Sequence, residues 1–183
     1  MAINLTKGNG INLEKQLEEL MFTVSWDTNI DVDIHCLVLT DGKGACDEDF
    51  VFYNNLQHPS GAINHSGDIR DGSHAMGVDD EYITVHLKDI PSTKNELIFS
   101  ASIHNAELHG LHFGKVGNSK AKIIDKATNT VLAEFQLDKD LLGEHTAELA
   151  RVVKTNGVWR FENLSKPAMS LTNLLVSKGF SVA

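Results

Sequence analysis

The pattern of apolar and polar residues predicts an all-β chain closed by a C-terminal helix. Three observations carry this. Short runs alternate apolar and polar side chains, the period of a strand with one buried face. Turn residues such as Asp41-Gly42 and Asn156-Gly157 separate the runs. The one clear stretch of helical spacing, Met169, Leu171, Leu174, Leu175 and Val176, comes last.

The 183 residues are enough for one substantial core, and no Pro- or Ser-rich linker divides them, so a single domain over 1–183 is expected. A net charge of −9 argues against nucleic acid, whose binding rests on Lys and Arg meeting phosphates. No apolar run reaches membrane-spanning length, and the first residues, Met1-Ala2-Ile3-Asn4-Leu5, lack the basic and long apolar regions of a signal peptide. Of the two cysteines, Cys36 sits in an apolar alternating run, the setting of a buried free thiol. The expectation is a cytoplasmic protein without a disulfide.

In chain order, Ile3–Thr6 and Gly10–Leu13 alternate around Lys7-Gly8-Asn9-Gly10, a hairpin turn. Glu14 to Leu20 has the propensity for a turn of helix. Leu20 to Trp26 reads as a strand. Val32, Ile34, Cys36 and Val38 alternate with Asp33, His35, Leu37 and Leu39, a strand buried on both faces beyond its first turn. Asp31 and Asp33 share a face at its start. Asp47-Glu48-Asp49 lacks the spacing of an EF-hand and reads as a solvated loop. Phe50 to Tyr53 is a short apolar strand closed by Asn54-Asn55.

Glu81, Ile83, Val85 and Leu87 alternate with Tyr82, Thr84 and His86, and Leu97 to Ile103 repeats that period. Ala121–Asp125 and Thr130–Phe135 flank a turn at Lys126–Asn129. Thr146–Thr155 and Val158–Leu164 flank Asn156-Gly157, whose residues tolerate the positive φ of a type I′ hairpin. A helix is expected from Pro167 to Lys178, opened by Pro167 and stopped by Gly179.

Chemistry concentrates in the polar loop between Tyr53 and Glu81. It carries Asp68, Asp71, Asp79, Asp80 and Glu81 against one base, Arg70. Crowded carboxylates repel unless a cation neutralises them. A hard divalent ion such as calcium suits them, taking 6–8 oxygen ligands in irregular geometry. A solvated acidic loop is the alternative. His109 and His112 have no partner motif that would fix zinc, and nucleophile elbows, phosphate loops and dinucleotide fingerprints are missing.

Three pieces of this region, Phe50-Val51-Phe52-Tyr53-Asn54-Asn55-Leu56, His65-Ser66-Gly67-Asp68 and Asp79-Asp80-Glu81, resemble the core signature of the TerD-type tellurium-resistance and stress-protein family. Ile103-His104-Asn105-Ala106-Glu107 and Gly110 to Val116 continue the match. The resemblance implies a calcium-binding β-sandwich with a role in resistance to tellurite and other stresses; the helix is expected to pack on the sandwich, and the first reading is a non-enzyme that acts through protein partners. The family has Asn after the Gly-Asp step and Asp further on, where this chain has Ile69 and Asn105. Ile69 offers only a backbone carbonyl, and Asn105 an uncharged oxygen.

The expected ligand set is therefore Asp31, Asp33, Asp68, Asp79 and Glu81 at one end of the sandwich. Asp71, Asp80 and the amide oxygen of Asn55 are further candidates. Two other readings stand beside it: an ion-independent interaction module, and a metal-dependent hydrolase using the same acids.

Overall fold

A computed structural model describes residues 10–12, 18–72 and 80–182. Within them, the alternating runs form two antiparallel sheets. The strands are β1 (Gly10–Asn12), β2 (Glu19–Ser25), β3 (Val32–Leu39), β4 (Phe50–Val51), β5 (Ile63–His65) and β6 (Glu81–His86). After them come β7 (Glu96–Ile103), β8 (Lys120–Asp125), β9 (Thr130–Gln136), β10 (Thr146–Thr155) and β11 (Val158–Pro167). One sheet has the order β1-β11-β10-β7-β3-β4 and the other β5-β6-β2-β8-β9. This is the all-β sandwich expected. Among the described residues no helix is long and apolar enough to cross a membrane.

The inner faces meet around Phe22, Trp26, Phe99, Phe113 and Phe161, all without appreciable exposure. β3 is buried on both sides, as its sequence requires. Ile34, Cys36 and Val38 enter the core between the sheets, whereas Leu37 and Leu39 face outward. That outer face is covered by Leu174 and Leu175 of the helix α3 (Leu171–Ser177) and by Phe180 just beyond it, with Phe50 and Ile98 completing the cluster. Two short helices that the sequence did not announce, α1 (Ala106–His109) and α2 (Leu137–Asp140), sit in connections.

Local chemistry explains the hairpins. Asn156 and Gly157 adopt φ of 51° and 78°, and Thr155 pairs with Val158. The type I′ reading is correct there.

Four sequence expectations need correction. Pro167 does not open the helix; it ends β11, paired with Ala147. Helix α3 starts at a Ser170 cap, whose Oγ accepts the Asn173 N–H at 3.1 Å, because a hydroxyl satisfies an orphan donor that Pro cannot. Phe50–Tyr53 keeps only two strand residues, since Phe52 and Asn55 exchange backbone bonds in a turn. Asp49 is not solvated. Its carboxylate takes the Ala45 N–H at 2.8 Å, Lys94 Nζ at 2.6 Å and His58 Nε2 at 3.2 Å. Burial alone would raise its pKa, but these donors outweigh that and hold it below the ordinary range.

Lastly, the expected turn of helix before β2 is a strand where it is described, at Glu19 and Leu20. The N-terminal hairpin falls outside the described residues apart from β1.

Candidate metal centre

The site begins with a gap in a sheet. β4 pairs with β3 only at Cys36 and Leu37, so the first half of β3 has an open backbone edge. A buried edge needs partners, and the second sheet supplies them as side chains. Glu81 Oε2 accepts the Ile34 N–H at 3.3 Å, and His65 Nε2 donates to the Ile34 carbonyl at 3.2 Å. His65 Nδ1 in turn accepts the Gly67 N–H at 3.0 Å, and Glu81 Oε1 the Ile69 N–H at 2.9 Å. These last two bonds clamp the backbone on either side of Asp68.

The consequence is convergence. Asp31 and Asp33, at the start of β3, and Asp68, in the clamped loop, bring one carboxylate oxygen each within 4.8 Å of one another. They line a cavity of about 160 Å³ together with Tyr53, Arg70 and His104.

Its electrostatics are those of acids short of counter-charge. Burial, reinforced by Asp31, pushes the Asp33 carboxyl up to about 7. Asp31 is raised by burial and by Asp68. Glu81 is pushed to about 8 by burial, against the pull of its two N–H donors and with help from Asp33. Compensation is partial. Arg70 Nε donates to Asp68 Oδ2 at 2.8 Å, and His104 Nδ1 lies 3.8 Å from Asp33 Oδ2. Asp31 Oδ1 is buried with no hydrogen-bond partner among the described residues.

The remaining candidates are placed differently. Glu81 stands behind the trio, with both oxygens engaged by backbone donors. Asp80 Oδ2 accepts the Trp26 N–H at 2.9 Å and so ties β6 to the end of β2. The Asn55 amide nitrogen donates to the Phe50 carbonyl at 2.8 Å, which closes its turn. Neither Asn55 nor the exposed Asp71 lines the cavity. Asp79 lies outside the described residues. Tyr53 and His104 were not among the sequence candidates, although both lie in the stretches that carry the family resemblance.

An orphaned, buried carboxylate oxygen among three acids is a donor set for a hard cation. It is too poor in nitrogen and sulfur to favour zinc.

Comparison with known proteins agrees with this architecture. The family model described as the TerD domain matches residues 1–176. The chain belongs to the TerD family. General stress protein 16U of Bacillus subtilis is 33% identical over 172 residues, covering 88% of each chain. The tellurium resistance protein TerD of Serratia marcescens is 29% identical over 171 residues, again 88% of each. A crystal structure of a TerD homologue from Streptomyces coelicolor superposes with a TM-score of 0.74 at 19% identity, over 89% of this chain and 96% of that one. At that identity the likeness concerns the fold. The TerD relatives are named for tellurium resistance and stress, and this chain is a member of that group.

Proposed function

We propose that this TerD-family protein is a cytoplasmic calcium-binding module of a stress-response system, one domain that acts through protein partners and not by catalysis. The observation that carries the proposal is the meeting of Asp31, Asp33 and Asp68 in one cavity. Asp33 is kept near the protonation threshold there by burial and by Asp31. Folding holds mutually repelling carboxylates together at a cost, and a cation between them offsets it.

Calcium is favoured over magnesium by the shape of the donor set. Calcium tolerates the irregular geometry that three acids from two separate segments would offer, whereas magnesium demands a near-ideal octahedron and sheds water reluctantly. The ion would supply charge neutralisation and a link between β3 and the loop at 66–72. The protein's own part is to hold the three acids in place from behind, through Glu81 and His65.

A ligand that binds only the folded state stabilises it by about 2.7 kcal/mol at ~100 times its dissociation constant. Calorimetric titration of metal-stripped protein should show saturable calcium binding that Asp68→Asn largely abolishes. Magnesium at equal concentration should raise the melting temperature less. A wild-type protein whose melting temperature ignores calcium would replace this reading with the ion-independent module. Turnover of phosphoesters by the calcium-loaded protein would replace it with a hydrolase.

A further inference from the structure

We infer that Arg70 is a tethered counter-ion competing with the divalent cation for Asp68, so that it holds the affinity of the site below what the carboxylates alone would give. The inference rests on the calcium reading.

The guanidinium already engages one carboxylate oxygen of Asp68. Its Nε donates to Asp68 Oδ2 at 2.8 Å, and Arg70 lines the same cavity as the three acids. An arginine cannot lose its charge at any relevant pH. A cation drawn between the acids therefore meets a fixed positive charge already paired with Asp68, and the two repel unless the side chain swings away. It has room to do so. The Arg70 side chain is 78% exposed, against 23% for Asp68.

The alternative role for Arg70 is to position Asp68, and the backbone argues against it. Asp68 lies between Gly67, whose N–H is fixed by His65 Nδ1, and Ile69, whose N–H is fixed by Glu81 Oε1. The loop is clamped without the guanidinium. Removing Arg70 takes away a competitor and leaves the ligand's backbone in place.

Exposed ion pairs are weak, so the competition is modest in size and definite in sign. Calcium is titrated calorimetrically into metal-stripped wild type, Arg70→Ala and Arg70→Lys, at low and high sodium chloride. Arg70→Ala should bind calcium about two- to five-fold tighter than wild type. Arg70→Lys, which keeps the charge, should stay close to wild type. The gap between wild type and Arg70→Ala should narrow as salt screens the exposed guanidinium. Equal or weaker binding by Arg70→Ala overturns the inference while the calcium reading stands. An absence of calcium binding in all three proteins overturns both.

Discussion

Replacing Asp33 with Asn takes one charge from the most buried of the three clustered acids and nearly preserves its shape. In the folded protein without metal, burial and Asp31 raise this carboxyl from 3.8 to about 7. Below the ordinary carboxylate range Asp33 is protonated in both folded and unfolded chains, and the stability linked to its raised pKa is fully present. As pH climbs from about 4 to about 7, the unfolded chain ionises first and that stability is lost. Above that window the folded state carries a buried charge. The ceiling on this loss is about 4 kcal/mol, at about 1.4 kcal/mol per pK unit.

Part of the rise is repulsion from neighbouring acids, which shrinks as they take up protons, so roughly 2–3 kcal/mol is the expected loss at pH 8. Asp33→Asn should therefore stabilise the metal-free protein by about that much at pH 8 and by less at pH 5. It should also lose most of the calcium-dependent gain. Urea unfolding at both pH values, with chelator and with calcium, measures all four quantities. A variant less stable than wild type in chelator at pH 8, or one that keeps the full calcium gain, would refute the account of a strained acidic cavity.

Other sites make independent demands. Asp49→Ala strands Lys94 and His58 along with two N–H groups, and should cost about 3–5 kcal/mol by denaturant unfolding. At Gly44 an added Cβ would run into the Phe180 ring, so Gly44→Ala should cost about 1–3 kcal/mol and expose the chain beyond α3 to proteolysis. Gly157→Ala meets no atom within 4 Å at φ +78°, so its cost should be the backbone term alone, about 1–2 kcal/mol, by thermal melting.

What was legible in the sequence is what neighbouring residues decide among themselves. Alternation marked β3 and β7 correctly because each side chain's face depends only on the pleat. Asn156-Gly157 declared its hairpin because positive φ is a property of those two residues. Helix α3 was visible in its apolar spacing and in the closing Gly179, yet its start was misjudged. Both Pro167 and Ser170 can begin a helix, and the pairing of Pro167 with Ala147 on β10 decided between them.

That Asp31, Asp33 and Asp68 gather at one end of the sandwich was expected from the sequence, but the means of their meeting was not legible there. The meeting depends on Glu81 and His65 reaching across to Ile34, 47 and 31 residues away. Only the sheet order places β6 and β5 beside the open edge of β3. For the same reason Asp49 looked like solvated surface until Lys94, 45 residues on, closed over it. The sequence by itself marked most of the longer strands, the Asn156-Gly157 turn and the candidate acids. Tertiary structure alone decided which acids share one cavity and which, like Asp80 and Glu81, spend their oxygens on backbone N–H groups. A carboxylate's partner is whichever donor the fold brings within about 3 Å, and that distance is written nowhere in the local chain.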